Sequence, residues 1–523
     1  MPHLENREMR LSLPLQLLLI FLVSTVLMVL LRDVRTPLDG SSYALGVQRL
    51  AVGNFEDVFR WSHALHVPVL FVGYRLVSTV VQVDVLTYYQ VLNILLGAGG
   101  LCLIYLLVRR NSRRAVDAVL ACLLVMFSWV YWVESVTADE KMLGYFFVLI
   151  YLNLLDRFLG GDPQEDRSPG AIQAVALAFI LSLSILLHAS AVLVVPVSVF
   201  LVVRRKAFRF GVITALVSVS LILVAYAVIL NLLGSTGWEE VAAYFSSGVS
   251  RYSVAATGIS GVAWVRSVVQ GLTKLLWAVF SEDGIRTGLF LVGLNTLFLA
   301  GVLWMMWRHR RDQMLQGFMV LLVTAGIFGM TYAPDSPDSY FLMLVPVAVF
   351  FAKAMEINKF RYAGLVLLAI LIANNGAHYL GFSAFRDEGV DKRYQESIGQ
   401  RLSGGDVLVV LDADMGMKAG TQAIIPIHAY FNPELEHIPG TDFFADPSSA
   451  RFLALAREGR LFIEGLCFED FDNRNDSEIR EMGSFLVLAE VYDFEQVVRF
   501  AEYSSLYHRS YKHVFRLTAK STP

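Results

Sequence analysis

The feature that most constrains this sequence is a series of apolar stretches long enough to cross a bilayer. A helix needs about 20 apolar residues to span a hydrocarbon core of roughly 30 Å. About eleven stretches reach or approach that length, and two or three of them are short. They lie at about 11–31, 88–108, 115–133, 141–155, 171–187, 190–203, 210–233, 287–307, 314–332, 340–357 and 362–381. The pattern predicts a polytopic α-helical membrane protein whose first stretch is retained as a span.

The composition agrees with a membrane body. Hydrophobic residues make up 56% of the 523 residues, and charged residues make up only 17%, against about 25% in soluble domains. The net charge of -3 does not identify a partner, because the distribution of charges between spans matters more than their sum. No nucleic-acid partner is indicated. The three cysteines make no disulfide framework, since two of them lie within apolar stretches.

Basic residues between the stretches predict the orientation of the chain. If Arg7 and Arg10 are cytoplasmic, alternate loops on the same side carry the clusters of Lys and Arg, as the positive-inside rule requires. The sequence therefore predicts a multi-pass protein of the cytoplasmic membrane with a cytoplasmic N-terminus. The C-terminal tail is then extracytoplasmic.

Two further apolar segments, Val67–Val83 and Val262–Phe280, are interrupted by basic residues. Counting either one alone as a span would invert the charge bias of the loops that follow. They are interpreted as helices lying in the outer membrane interface, within the regions 45–83 and 240–282. The alternative is a pair of additional spans.

Soluble composition begins at about residue 384 and divides the chain into a membrane domain, 1–383, and a small extracytoplasmic α/β domain, 384–523. In the second domain, "GDVLVVLDAD", "RLFIEGL" and "GSFLVLAEV" are typical of strands, and "FEQVVRFAEYSSLYHRSY" is expected to contain a helix. Asp412 and Asp414 have the spacing of metal-binding acids in nucleotide-sugar transferases. The domain has no room for the nucleotide-binding sheet that should precede them, so a turn at a strand end is favoured.

Several acids and bases fall on the predicted outer side. A charged side chain near hydrocarbon costs free energy, so acids at span ends on one side tend to line a functional cavity. Asp39 follows the first span, and Asp139 and Glu140 begin the fourth. Simpler explanations are open: Asp39 next to Gly40 is typical of a turn, and Asp139 can cap a helix. The same side also carries Lys141, His188, Arg251, Arg266, Lys274, Arg286, Asp335 and Asp338.

Five segments, in this order, resemble a known family. They are "LDGSSYALGVQRL", "HALHVPVLFVGYRLV", "YYQVLNILLGAGGLCLIYLLVRR", "WVESVTADEKMLGYFFVLIYLNLL" and "LSLSILLHASAVLVVP". The pattern resembles the GT-C superfamily of integral-membrane glycosyltransferases, which includes protein O-mannosyltransferases and aminoarabinose transferases. It is most similar to the bacterial branch related to a vertebrate membrane O-mannosyltransferase. The chain departs from the family where His66-Val67-Pro68 replaces His-Pro-Pro and where Asp39 lacks the usual adjacent acid.

The resemblance implies an enzyme that moves a sugar, with inversion, from a polyprenyl-phosphate donor in the bilayer to an acceptor protein, lipid or glycan. It implies that Asp39 is the general base and that Asp139 or Glu140 orients the acceptor. A divalent ion such as Mg²⁺ or Mn²⁺ beside Asp39 is left open. The residues expected at the donor and its phosphate are His66, Lys141, His188, Arg266, Lys274 and Tyr340.

Three other functions remain open from the sequence. A lipid-linked glycan polymerase or ligase also has many spans and a large outer loop, but it would not require the acid after the first span. A transporter is disfavoured because no charged residue occupies the middle of a confident span and no inverted repeat is visible. A noncatalytic scaffold would tolerate alanine throughout the segments quoted above.

Overall fold

The protein is described here by a computed structural model, in which α-helices dominate. The described residues are 12–32, 38–55, 58–159, 170–235, 237–246, 261–279, 284–384, 397–410, 432, 434–439, 443, 446–466, 488, 491–503 and 509–520. The chain forms two compact units. One comprises Met1–Asp33 with Arg49–Arg386, and the other comprises Val34–Gln48 with Asp387–Pro523.

Sixteen helices precede the first strand among the described residues. The first eight are α1 (Leu13–Leu30), α2 (Leu38–Ala51), α3 (His66–Ser78), α4 (Val85–Asn111), α5 (Ala115–Met126), α6 (Trp129–Val136), α7 (Lys141–Leu159) and α8 (Ala171–Leu187). The next eight are α9 (Val195–Arg204), α10 (Phe208–Leu232), α11 (Trp238–Ser246), α12 (Gly261–Leu276), α13 (Gly284–Arg308), α14 (Gln313–Tyr332), α15 (Leu344–Met355) and α16 (Asn358–Ala384). Short 3₁₀ helices lie at Trp61–His63, Ala189–Val194 and Pro337–Met343.

Each of the eleven predicted spans coincides with helical structure. Among the residues that the structure describes, eight helices are long and apolar enough to cross a membrane, and the bent pair α5 and α6 is a ninth candidate. The remaining two stretches are the shorter apolar helices Ala171–Leu187 and Ala189–Arg204. The polytopic helical fold predicted from the sequence is therefore confirmed. Helix α12, one of the two segments interpreted as interface helices, is not among these candidate spans.

The helices pack around α4, which contacts α1, α5, α6 and α7. Its small buried residues Gly97 and Gly100 allow this close approach: a methyl group at Gly97 would lie 2.5 Å from the Ser135 hydroxyl oxygen, and one at Gly100 would lie 2.6 Å from the Tyr131 hydroxyl oxygen. Helix α15 is buried along almost its whole length. The fold thus has an inner layer of helices surrounded by helices with exposed apolar faces, such as α1 and α10.

The fifth and sixth helices meet at a bend of 69°. The break leaves carbonyl groups of the backbone without helical partners, and a buried residue of α16 satisfies one of them. Asn375 donates from Nδ2 to the Phe127 oxygen at 2.6 Å and accepts from the Ala278 backbone N–H at 2.8 Å. The ring of Tyr379 stacks on Trp132 at a centroid distance of 4.3 Å. These contacts fix α6, and therefore the connection that follows it.

The described residues of the second unit form a mixed sheet of five strands. They are β1 (Val407–Val410), β2 (Glu436–Pro439), β3 (Leu461–Leu466), β4 (Tyr492–Tyr503) and β5 (Arg509–Ala519), with α17 (Ala450–Arg457) between β2 and β3. The strand order is β2-β1-β3-β5-β4. The central strand β1 is parallel to both of its neighbours, and β5 is antiparallel to β3 and β4. All four residues of β1 are buried, as expected for a strand covered on both faces.

One element of this unit differs from its prediction. The segment 494–511 was expected to contain a helix, but its described residues, 494–503 and 509–511, belong to the antiparallel pair β4 and β5. Its apolar spacing fits a helix and a strand about equally well. Pairing along the full length of β5 stabilises the strand. The β-branched residues Val497 and Val498 also favour a strand. Strands were correctly predicted at β1 and β3. Asp412, Asp414 and most of "GSFLVLAEV" lie outside the described residues.

Candidate active site

An ammonium group lies among four carboxylates at the start of α7. Lys141 Nζ is 2.9 Å from Asp139 Oδ1, 3.4 Å from Glu134 Oε1, 3.7 Å from Glu140 Oε1 and 3.5 Å from Asp338 Oδ2. The acids come from α6, from the connection between α6 and α7, and from the 3₁₀ helix Pro337–Met343. We call these five residues the acid cluster. Because the side chain of Lys141 is only 15% exposed, the charges interact with little screening by water.

Polar side chains of α4 position the connection that carries two of these acids. Asn93 is fully buried and donates from Nδ2 to the backbone oxygens of Thr137 at 2.9 Å and Asp139 at 2.7 Å. Gln90, three residues earlier and on the same helix face, donates to the Val136 oxygen at 2.6 Å. Residues 137–140 are therefore held against α4, with the acids near Lys141.

Three histidines lie beside the acid cluster. The ring centroids of His63 and His188 are 4.6 Å apart, and those of His63 and His66 are 6.4 Å apart. His66 Nε2 is 2.5 Å from the Tyr89 hydroxyl oxygen, and His63 Nε2 is 3.9 Å from Glu140 Oε1. The acids and the histidines thus form one continuous buried polar region.

Backbone contacts explain why these histidines meet. The backbone N–H of Leu65 donates to the Leu186 oxygen at 2.9 Å, which joins the segment after the first 3₁₀ helix to the end of α8. His188 follows α8 directly and packs on Gly144 of α7. A methyl group at Gly144 would lie 2.6 Å from the Cβ atom of His188, so only glycine permits this approach without a shift of the backbone.

Burial and neighbouring charges set the protonation states outside the helical spans. Burial, followed by the effect of His188, lowers the pKa of His66 to about 3. Burial also lowers the pKa of His63, with a further contribution from His66, and burial and His63 lower the pKa of His188. All three imidazoles are therefore neutral near pH 7. For Asp139, burial opposes ionisation, but the ammonium of Lys141 outweighs it and lowers the pKa below its usual range.

The structure brings together five of the nine predicted site residues: Asp139, Glu140, Lys141, His66 and His188. It adds three that the sequence did not assign to the site, namely His63, Glu134 and Asp338. His63 lies three residues before His66 in "WSHALH", and this spacing was a usable signal. Glu134 was hidden within an apolar run. The sequence placed Asp338 on the outer side but could not pair it with Lys141.

The other four predicted residues are placed elsewhere or only partly described. Arg266 is exposed and Lys274 is half-buried on α12, and no ion pair within the described part of the chain joins either one to the acid cluster. Tyr340 is fully buried and donates its hydroxyl hydrogen to the Pro334 oxygen at 3.2 Å. The backbone of Asp39 lies in α2, and its side chain is outside the described residues. The roles of these four residues stay predictions.

Tyr340 packs on two helices through glycine, and this contact leads to a stability prediction. A methyl group at Gly271 of α12 would lie 2.3 Å from the Pro334 oxygen and 2.7 Å from the Tyr340 ring. We expect Gly271→Ala to destabilise the protein by about 1–3 kcal/mol, because backbone atoms must move to admit the methyl group. The shift of Tm, followed by tryptophan fluorescence of the detergent-solubilised protein, measures this effect.

Gly301 of α13 provides the matched control. No atom lies within 4 Å of a methyl group added there, and alanine is the better helix former by up to about 1 kcal/mol. Gly301→Ala should therefore leave Tm unchanged or raise it. Equal Tm values for the two variants would contradict the packing described for Tyr340.

Comparisons with solved structures identify the fold that contains this site. No family model matches the sequence, and no curated protein matches it. Solved structures do. ArnT from Cupriavidus metallidurans bound to undecaprenyl phosphate superposes with a TM-score of 0.57 at 14% identity, covering 96% of this chain and 97% of ArnT. The chain has the GT-C fold.

An archaeal protein shares this GT-C fold. The Archaeoglobus fulgidus oligosaccharyltransferase tethered to an acceptor peptide gives a TM-score of 0.54 at 14% identity, covering 95% of this chain and 74% of that one. The archaeal oligosaccharyltransferase AglB from Archaeoglobus fulgidus, in complex with an inhibitory peptide and a dolichol phosphate, gives a TM-score of 0.53 at 14% identity with the same coverage. The agreement over almost the entire chain confirms the predicted GT-C fold.

Proposed function

We propose that this protein is a membrane glycosyltransferase that moves a sugar from a polyprenyl-phosphate donor to an acceptor protein, lipid or glycan. The observation that carries the proposal is a buried cluster of acids, one ammonium and three neutral histidines within a GT-C fold. Structures with this fold hold undecaprenyl phosphate in ArnT, and dolichol phosphate and a peptide in AglB. A lipid phosphate and an acceptor are the corresponding partners proposed here.

The proposed reaction needs a base, an oriented acceptor and a stabilised leaving group. Asp39 takes the proton of the acceptor hydroxyl or amine as the acceptor atom bonds to the anomeric carbon of the sugar. The bond between that carbon and the phosphate oxygen breaks, and the polyprenyl phosphate leaves with the electron pair, so the configuration is inverted. Asp139 or Glu140 orients the acceptor.

Cations and hydrogen-bond donors assist the leaving phosphate in this proposal. Lys141 is the buried cation of the cluster, and His66 and His188 lie near it as neutral imidazoles. Arg266, Lys274 and Tyr340 complete the proposed donor site, with Arg266 and Lys274 supplying positive charge near a phosphate at the membrane surface. A Mg²⁺ or Mn²⁺ ion beside Asp39 remains part of the proposal and would supply charge stabilisation for the phosphate.

The proposed location is the cytoplasmic membrane, with the N-terminus in the cytoplasm and the active site facing outwards. The Lys/Arg bias of the loops supports this orientation. The apolar helices support a multi-pass protein. The outward orientation suits a donor whose lipid anchor keeps it in the bilayer, because soluble nucleotide sugars are not normally available outside the cell.

A transfer assay tests the proposal. Membranes containing the protein are incubated with a panel of polyprenyl-phosphate sugars labelled in the sugar, and the release of polyprenyl phosphate is followed together with the labelled product. Membranes lacking the protein are the control. We expect one donor class to be consumed only when the protein is present. If no donor is transferred or hydrolysed, the proposed enzyme class is wrong; a product that grows by repeated units would instead indicate a lipid-linked glycan polymerase.

A further inference from the structure

Two histidines and one carboxylate converge at the edge of the acid cluster. The potential ligand atoms of His63, Glu140 and His188 all lie within 4.8 Å of one another. This is the only group of its kind within the part of the chain that the structure describes. The three residues belong to separate segments: the first 3₁₀ helix, the connection before α7, and the turn after α8.

These spacings are close to those of a zinc site. Zinc bound to nitrogen and oxygen at about 2.0–2.2 Å in a tetrahedron places neighbouring ligand atoms about 3.3–3.6 Å apart. His63 Nε2 and Glu140 Oε1 are already 3.9 Å apart, so small side-chain rotations would complete the geometry. Two histidines with one glutamate form a ligand set found in zinc sites that keep a fourth position open. Mg²⁺ prefers an octahedron of oxygen ligands, which this set does not offer.

The charge balance of the region favours a bound cation. Four carboxylates, those of Glu134, Asp139, Glu140 and Asp338, share the single ammonium of Lys141. Buried carboxylates are costly to ionise unless cations pair with them, and a divalent cation at Glu140 would add positive charge to this region. Arg60 also acts electrostatically on His63 and His66.

The histidines are suited to binding a metal. An imidazole binds a metal through an unprotonated ring nitrogen, and the hydrogen bond of the other nitrogen decides which one is available. His188 Nδ1 lies 2.6 Å from Ser190 Oγ and 3.3 Å from the Ser190 backbone nitrogen. In the tautomer that donates Nδ1–H to Ser190 Oγ, the lone pair of Nε2 is available to a metal, and the hydroxyl fixes the ring.

We propose that His63, Glu140 and His188 form a zinc-preferring metal site that joins three segments of the membrane unit. The ion fixes the 3₁₀ helix Trp61–His63 to the start of α7 and to the turn after α8. Glu140 and His188 also belong to the proposed active site, but the binding of the ion is tested without sugar transfer.

Metal content of the purified protein tests the site. The protein carries an affinity tag without histidine, is stripped with a chelator, and is titrated with Zn²⁺, Mn²⁺ or Mg²⁺ alone in competition with a fluorescent zinc chelator. We expect about one tightly bound Zn²⁺ per chain and much weaker Mg²⁺ binding. Zn²⁺ should also raise Tm by at least about 3 °C, because the ion binds only the folded state. Neither measurement involves a donor or an acceptor, so failure of the sugar-transfer proposal would leave this result unchanged.

Substitutions locate the ion. His63→Ala, His188→Ala and the size-conserving Glu140→Gln should each weaken Zn²⁺ binding by at least about tenfold, since even the loss of an outer-shell partner costs that much. His309→Ala, between α13 and α14, is the matched control and should bind like the wild type. Size-exclusion profiles identify variants that fail to fold. If the alanine variants do not fold, the Zn²⁺ affinity of Glu140→Gln tests the site. A wild type that binds no Zn²⁺, or folded variants that bind it unchanged, would overturn the proposal.

Discussion

Replacing Lys141 with methionine is expected to cost about 3–5 kcal/mol of stability, the range found when one partner of a buried ion pair is removed. Lys141 forms ion pairs with all four acids of the cluster. Methionine keeps the length of the side chain but leaves the acids facing one another, and their repulsion is little screened at this depth. Thermal unfolding followed by tryptophan fluorescence measures the loss.

Lys353→Met is the matched control for this prediction. The Lys353 side chain is also 15% exposed, but its Nζ pairs with a single carboxylate, that of Glu356, at 3.4 Å. We expect a clearly smaller fall of Tm for Lys353→Met. Adding Asp139→Asn to Lys141→Met should recover part of the lost stability, because one repelling charge is then removed. Equal effects of the two lysine substitutions would show that the acid cluster does not depend on Lys141.

Asp39→Asn is expected to lower the rate of sugar transfer by about 10²–10⁴-fold, the usual contribution of a general base. Asparagine has the size of aspartate but cannot accept the acceptor proton. The measurement is the initial rate of product formation from the polyprenyl-phosphate donor, at matched amounts of protein in the membrane. The Tm of the same variant is measured in parallel, which separates loss of the base from loss of folding.

Asp84→Asn is the control acid for the catalytic prediction. Asp84 caps α4, accepting from the Thr87 backbone N–H at 2.9 Å and from its hydroxyl at 2.6 Å. Asparagine also caps helices well, so both stability and transfer rate should be retained. If Asp39→Asn transfers sugar at the wild-type rate while Asp139→Asn does not, the base lies in the acid cluster and the role proposed for Asp39 is wrong.

The membrane fold could be predicted from local sequence because the bilayer restricts the choices. Backbone polar groups in hydrocarbon must be satisfied internally, so a long apolar run such as Val85–Asn111 has the α-helix as its main option. The bend between α5 and α6 was not foreseen, since it depends on Asn375 and Tyr379 of a distant helix. In the second unit, the sequence of β4 predicted a helix, because the spacing of its apolar residues is compatible with both a helix and a strand.

The candidate site was predicted in part, for a related reason. Asp139, Glu140 and Lys141 are consecutive in the sequence, so assigning one of them to the site assigns all three. Their partners are not consecutive. Glu134 lies in the preceding helix, and Asp338 lies far along the chain in a 3₁₀ helix. Neither contact to Lys141 follows from a local pattern, because both depend on the angles at which the helices pack.

The sequence by itself determined that this protein is a helical membrane protein with a small soluble domain, because hydrophobicity and periodicity are properties of neighbouring residues. Tertiary structure alone decided that four acids share one lysine and that His63 lies against His188. A buried charge is stabilised by whichever opposite charges and dipoles surround it in space. Those neighbours are set by the packing of α4, α6, α7 and α8, so the environment of the acid cluster exists only in the folded chain.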